Sequence, residues 1–335
     1  MANSCHICGL GSYVPDKILT NHDLEKLVDT SDEWILSRTG IRQRHILESG
    51  ANASDAAMEA AHAALADAGV SPEELTHIFV ATCSPDYFCP STACLVAGRL
   101  GLSAKGDGQG AHVMCMDFNA ACSGFLYGLE LARSVLALRP DGVVLLIGAE
   151  ALSRRIDFSD RSTCILFGDG AGAVVLRGSS AGSLWGVQDC SCCSDGSLHN
   201  LIVMGGGSAM EVKKGDMLPD DFFLTMQGRE VFRHAVRSMA AESRAMLERH
   251  GMTVDDIDLF IAHQANLRII EAVGSRLGID ESKVFVNVQD YANTSAATLP
   301  LALDDARTQG RLKPGMKVLL STFGGGITWG AALLA

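Results

Sequence analysis

Apolar positions along this chain fall into short runs separated by polar, glycine-punctuated stretches. HIFVA (77–81) and DLFIA (258–262) predict buried strands, as do the apolar runs of VMCMDF (113–118), VVLLIGAE (143–150) and VFVNV (284–288). CHICGLGSYVP (5–15) alternates like a first strand. MQGREVFRHAVRSMAAESRAML (226–247) and LRIIEAVGSRL (267–277) carry the helical period instead.

The pattern occurs twice. ALADAGVSPEELTHIFVAT (64–82) and MLERHGMTVDDIDLFIAHQ (246–264) each end a helix at a glycine, Gly69 or Gly251. Each then offers Ser71 or Thr253 as a cap, two acids, and a strand. Downstream, VMCMDFNAACSGFLYGLELA (113–132) matches VFVNVQDYANTSAATLPLAL (284–303), and PDGVVLLIGAE (140–150) matches PGMKVLLSTFG (314–324). Strands alternating with helices imply right-handed crossovers and mostly parallel sheets. The expected fold is therefore α/β, with similar halves over residues 1–175 and 176–335. This matching sets Cys122 and Asn293 at the same strand-to-helix corner in opposite halves, with His263 at a strand end. In paired α/β halves such strand ends converge where ligands bind.

Composition narrows the partners. With 335 residues, 47% hydrophobic and 20% charged, the chain can bury a large core. A net charge of −12 argues against nucleic acid and anionic membrane as general partners, though not against a local basic patch. The N-terminal stretch lacks the basic and apolar regions of a signal peptide. No run reaches the roughly 18 uninterrupted apolar residues of a membrane span. The 11 irregularly spaced cysteines point to a reducing, cytoplasmic location with free thiols. Cys5-His-Ile-Cys8 and DCSCCSDG (189–196) fit only half of a four-ligand motif, so no metal site is expected.

DFNAACSGF (117–125) turns a strand into a helix through small residues. A thiol there meets unpaired N–H groups and the positive end of the helix dipole, which favours the thiolate and supplies oxyanion donors. A thiolate suits acyl transfer between thioesters, whose energies are similar. A structural cysteine is the commoner role, and this stretch alone does not separate the two. His263, in HQAN (263–266), serves as a neutral donor, a base or a satisfied core histidine. Asn293 donates at any pH or caps the turn before Thr294 and Ser295. Their joint placement suits stabilisation of an enolate or oxyanion. FGGGITWG (323–330) allows close backbone approach and a second oxyanion N–H. GDGAGA (168–173) is not GxGxxG and lies between apolar runs, so it reads as a packing turn.

SDEWILSRTGIRQRHI (31–46), DFNAACSGF, FGDGAGA (167–173), HQANLRII (263–270), YANTSAAT (291–298) and FGGGITWG stand in an order that resembles the β-ketoacyl-acyl-carrier-protein synthase III family. The resemblance covers essentially the whole chain, and Cys-His-Asn distinguishes it from elongating synthases with Cys-His-His. It implies a thiolase-like fold of two pseudo-symmetric βαβ halves layered α/β/α/β/α. It also implies a cytoplasmic homodimer that initiates type II fatty-acid synthesis. In that chemistry Cys122 takes an acyl group, typically acetyl, from acyl-CoA, and malonyl-acyl-carrier protein then binds. His263 and Asn293 hold the malonyl thioester carbonyl as CO₂ leaves, and the amides of Cys122 and Gly325 form the oxyanion hole. No permanently bound cofactor is implied; acyl-CoA is a substrate.

The resemblance further implies that Trp34, Arg38 and Arg154 hold the adenine and phosphates of CoA, with Arg155 as the alternative to Arg154. Thr30, Phe232 and Asn266 border the same route. Carrier-protein contacts fall on Gln264, Ala265, Asn266, Leu267, Arg268 and Arg233. Arg229, Arg233 and Arg237 recur every four residues and, with Arg244 and Arg276, extend a basic surface; Ser275-Arg276 departs from the paired lysine expected in the family. Cys89 and Phe323 are expected at the acyl pocket, Cys89 where a bulky aromatic closes it across the dimer interface in some relatives. Three rivals stay open: a secondary-metabolite enzyme of the same fold, a Cys-His thiol hydrolase and a non-catalytic binding protein.

Overall fold

A computed structural model describes residues 5–103, 112–208, 210 and 222–335. The first half contains β1 (His6–Tyr13), β2 (Ile18–Thr20), α1 (Asn21–Leu24), α2 (Asp32–Thr39), β3 (Gln43–His45), α3 (Ala53–Ala68) and β4 (His77–Ala81). It continues with α4 (Thr92–Arg99), β5 (Met114–Phe118), α5 (Gly124–Leu138), β6 (Val143–Glu150), α6 (Arg161–Cys164) and β7 (Gly170–Arg177). Then come β8 (Trp185–Ser194), β9 (Ile202–Met204), β10 (Leu224–Met226), α7 (Gly228–Arg249), β11 (Leu259–Ala262) and α8 (Leu267–Leu277). The chain closes with β12 (Val284–Phe285), α9 (Val288–Tyr291), α10 (Thr298–Thr308), β13 (Val318–Gly324) and β14 (Thr328–Leu334).

Ten strands form one sheet in the order β12-β11-β13-β14-β8-β1-β7-β6-β4-β5. Read inward from either edge, the order is the same: β5-β4-β6-β7-β1 on one side and β12-β11-β13-β14-β8 on the other. In each block three parallel strands are followed by two antiparallel ones. The blocks meet in a short seam, where His6 pairs with Gly186 and Ile7 with Trp185.

Strand alternation sorts the apolar side chains by face. Phe79, Leu146, Ile261 and Leu320 face a core shared with α5 and α10. Their neighbours Val80 and Ile147 face α3, while Phe260 and Leu319 face α7 and α8. The layers run α/β/α/β/α, with α5 and α10 in the middle. Helix α5 and its preceding turn are long and apolar enough to cross a membrane by composition. Phe125, Leu126, Leu129 and Leu136 are instead fully buried between the two strand blocks.

Local chemistry explains the repeated helix stops. Gly69 and Gly251 take positive φ of 59° and 63°, and Ser71–Glu74 and Thr253–Asp256 each close a capping box. Asp169, in the GDGAGA stretch, is buried and accepts from Leu47 N–H, Ser153 N–H and the Ser153 hydroxyl, so this turn ties three segments together. Cys5 to Cys8 and Cys190 to Cys193 lie at or within strands β1 and β8.

Helix α3 lies directly on β1. A Cβ at Gly9 would stand 2.5 Å from the Ala64 carbonyl oxygen, and one at Gly11 would meet the Ala64 amide nitrogen. Alanines along α3 complete the fit. Gly11→Ala therefore lowers stability by about 1–3 kcal/mol through overpacking, read as a fall in Tm by circular dichroism. An unchanged Tm would mean that α3 moves off the strand without cost.

Candidate active site

Two strand-to-helix corners carry the site. After β5, the Asn119 side chain accepts the Ala121 N–H at 2.9 Å. Ala121 takes φ 47°, and the 3₁₀ turn Ala121–Ser123 runs into α5. After β12 and α9, the Asn293 side chain accepts the Ser295 N–H at 2.8 Å. Ser295 takes φ 51°, and the turn Ser295–Ala297 runs into α10. Each corner is thus an Asx-type turn followed by a non-glycine residue held left-handed, a conformation that needs support from its surroundings.

This equivalence corrects the residue-by-residue matching made from sequence. Asn293 corresponds to Asn119, and Cys122 to Ala296. The one-turn α9 inserts residues before the second corner, and a match of apolar runs does not register them.

The corners line one cavity of about 550 Å³, together with His263, Phe323 and Gly325. The β13–β14 turn clamps the first corner: Thr322 Oγ1 donates to the Cys122 carbonyl and Thr328 Oγ1 to the Ala120 carbonyl, both at 3.0 Å. Gly324 permits this approach, since a Cβ there would lie 2.7 Å from the Cys122 amide nitrogen.

Burial sets the electrostatics. His263 is 4% exposed, and desolvation lowers its pKa from 6.5 to about 3, so the ring is neutral at working pH. Its Nδ1 lies 2.6 Å from Thr298 Oγ1, whose hydroxyl also lies 3.0 Å from the Ser295 carbonyl. A Thr298 proton directed at Nδ1 puts the ring proton on Nε2; directed at the carbonyl, it leaves Nε2 as an acceptor. Asn293 is buried with Oδ1 engaged by Ser295 N–H, so its NH₂ group remains for the cavity. Burial pushes the Cys122 thiol up to about 12 despite hydrogen bonds from Ser295 and Asn293, and Glu150 adds to the rise. The thiolate expected at the start of α5 is therefore not the resting form. Desolvation and a buried carboxylate outweigh the helix terminus.

Residues 116–196 match the family described as 3-oxoacyl-(acyl-carrier-protein) synthase III, and residues 247–335 match its C-terminal part. The beta-ketoacyl-(acyl-carrier-protein) synthase III of Nitratidesulfovibrio vulgaris strain Miyazaki F is 57% identical over 331 residues, covering 99% of this chain and 97% of the relative. The chain belongs to the β-ketoacyl-acyl-carrier-protein synthase III family. Its fold is thiolase-like. The synthase III crystal structure from Aquifex aeolicus VF5 matches with TM-score 0.88 and 45% identity over 98% of this chain and 99% of that one. The synthase III structure from Pseudomonas aeruginosa PAO1 gives TM-score 0.87 and 38% identity over 99% and 98%.

Within this synthase III fold, Cys122, His263, Asn293, Arg38, Phe232, Ala265, Asn266, Phe323 and Gly325 all border the cavity. Others named from sequence stand elsewhere. Trp34 is half-exposed beside it, with the Arg161 guanidinium 5.1 Å and the Arg38 guanidinium 6.0 Å from its ring centre. Arg154 does not join them, because its guanidinium donates to the carbonyls of Glu48 at 2.8 Å and Ala51 at 3.2 Å. Arg155 donates to the Gly205 and Phe222 carbonyls. Arg161 is thus the cation that sequence reading missed, since SDRST offers no signal beyond a capped turn. Thr30 is half-buried off the cavity, its hydroxyl without a partner among the described residues.

Gln264 cannot meet a carrier protein. It is 1% exposed, donating to the Ala262 and Phe285 carbonyls and accepting from Asn287 and Val288. Leu267 packs against Gly40. Arg268 and Arg233 are exposed, Arg233 paired with Glu230. Cys89 is exposed and away from the cavity of its own chain.

The neutral His263 has a consequence for stability. Its folded pKa lies below the unfolded value, so the unfolded chain binds the extra proton and stability falls as pH drops from 6.5 toward about 3. The slope approaches about 1.4 kcal/mol per pH unit. Urea midpoints measured at pH 7 and pH 5 should fall more for wild type than for His263→Gln. Equal falls would mean that the folded ring takes the proton.

Proposed function

We propose that the protein condenses an acyl-CoA primer, typically acetyl-CoA, with malonyl-acyl-carrier protein to give 3-ketoacyl-acyl-carrier protein, CoA and CO₂. The observation that carries this reading is the meeting of Cys122, His263 and Asn293 in one cavity, in a chain 57% identical to a named β-ketoacyl synthase III. The N-terminal half, residues 1–175, supplies the nucleophile, and residues 176–335 supply the two donors. The working form is a cytoplasmic homodimer that starts type II fatty-acid synthesis.

In the first half-reaction the Cys122 sulfur attacks the acyl-CoA carbonyl. The amides of Cys122 and Gly325 receive the oxyanion, and CoA leaves with a proton. Nε2 of His263, with Thr298 turned to the Ser295 carbonyl, accepts a hydrogen bond from the Cys122 thiol, whose proton passes to the departing CoA sulfur. In the second half-reaction CO₂ leaves the malonyl group. The Asn293 NH₂ and His263 Nε2–H, with Thr298 turned to Nδ1, donate to the thioester oxygen as the enolate forms. Its carbon then attacks the acyl-cysteine, and the freed sulfur regains a proton from solvent. Both tautomers are neutral, so the histidine changes role without becoming the imidazolium that burial disfavours. Trp34, Arg38 and Arg161 suit the adenine and phosphates of CoA. Exposed Arg268 and Arg233 suit an acidic carrier protein.

Intact-mass analysis after incubation with acyl-CoAs, then with malonyl-carrier protein, tests the sequence of events. An acyl mass on Cys122 that leaves only with the malonyl donor is expected, and its spontaneous hydrolysis would favour a thiol hydrolase. Cys122→Ala abolishes the adduct. Asn293→Ala retains it but slows condensation by about 10²–10³-fold, the cost of a lost oxyanion donor. Arg268→Glu raises KM for malonyl-carrier protein while leaving acyl transfer intact; equal loss in both half-reactions would refute a docking role.

A further inference from the structure

One buried charge stands outside the condensation chemistry. Arg44, the middle residue of β3, is fully buried. Burial lowers its pKa to about 10, which leaves the guanidinium charged at working pH. Its planar fork reaches three segments. Nη1 donates to the Leu19 carbonyl at 3.2 Å and to Asn21 Oδ1 at 2.9 Å, and Nη2 donates to the Ile165 carbonyl at 2.9 Å. Asn21 is fixed in turn, its NH₂ group donating to the Ile41 carbonyl and to Asp32. Holding separate segments together is by itself a structural role.

The chain that follows Ile165 connects this charge to the site. Asn293 N–H donates to the Leu166 carbonyl at 2.9 Å, and the Asn293 carbonyl accepts from Gly168 N–H at 3.1 Å. Asp169 N–H donates to the His45 carbonyl at 2.8 Å. Arg44 and His45 therefore grip residues 165 and 169, on either side of the two residues that grip Asn293. The fit is close: a Cβ at Gly168 would stand 2.9 Å from the Tyr291 carbonyl oxygen and 3.1 Å from Arg44 Cβ. Ala292, just before Asn293, is buried at φ 57°, a conformation that persists only where its surroundings impose it. The first corner is held differently, by Thr322 and Thr328 on the carbonyls of Cys122 and Ala120.

We propose that Arg44 is a positioning residue for Asn293: by holding the Ile165 carbonyl it fixes the segment that brackets Asn293, and so sets the amide that meets the enolate. The proposal rests on Asn293 being that donor. Because Asn293 serves only the second half-reaction, loss of Arg44 should be felt there and spare the acylation of Cys122.

The test separates the half-reactions at saturating acyl-CoA, with the acyl-enzyme read by intact mass and condensation by CO₂ release from malonyl-carrier protein. Asn293→Ala is the reference; if it slows acylation as much as condensation, the assignment of Asn293 to the enolate fails, a separate failure. Arg44→Met should acylate Cys122 within about twofold of wild type. Per acylated site it should lose about 10–100-fold in kcat for condensation, with KM for malonyl-carrier protein unchanged, the scale of a donor displaced by about 1 Å. A merely structural role lowers the fraction of sites that acylate, not the rate at each acylated site. Equal losses in both half-reactions, or an unchanged condensation rate per acylated site, overturn the proposal. If Arg44→Met fails to fold by circular dichroism, Arg44→Lys decides, since it keeps the charge without the fork. Condensation per acylated site should still fall in it, and an unchanged rate overturns the proposal.

Discussion

The site depends on one constraint: a carboxamide must hold the amide two residues ahead of it so that a strand becomes a helix with almost no connecting chain. Asn119 and Asn293 do this in the two halves, and each forces the residue it caps into a left-handed conformation. Because both corners obey the same rule, they present equivalent surfaces to each other across the sheet. Both copies carry the carboxamide, and the first has the Cys122 sulfur where the second has Ala296. Clamping of the first corner by Thr322 and Thr328 then holds the sulfur against the glycine turn.

Desolvation does the rest of the chemical selection. Among groups this buried, charges are admitted only with a full set of partners. His263 therefore stays neutral, Cys122 rests protonated, and Glu150, whose pKa burial raises, is surrounded by donors. Ser295 touches the groups beside them: its N–H donates to Asn293, its carbonyl accepts from Thr298, and its hydroxyl lies 3.7 Å from Cys83 Sγ.

Much of this was legible in the chain, for physical reasons that also mark the limits. The duplication was visible because glycine stops and capping boxes are local signals, written within a few residues at 69–74 and 251–256. Cys122, His263 and Asn293 stood out by residue type and motif order. Register across the halves was misread by the insertion of α9, whose turn carries no apolar signature. Resting protonation was misread because the burial of Cys122, and the nearness of Glu150's charge, arise only from tertiary packing. Gln264 and Arg154 were assigned by motif, yet their partners at Asn287, Val288, Glu48 and Ala51 are set by the folded loops.

The position of β1 has a further consequence. Strand β1 is the first element of the chain to be synthesised among those described, yet its partners are β7 and β8, completed only at Arg177 and Ser194. Its glycines also wait for α3 to cover them. During synthesis from the N-terminus, this strand has an unsatisfied backbone edge on both sides until more than half of the chain has emerged. The same pairing that joins the two blocks therefore makes the order of folding differ from the order of synthesis, with the oldest segment left unpaired until β7 and β8 arrive.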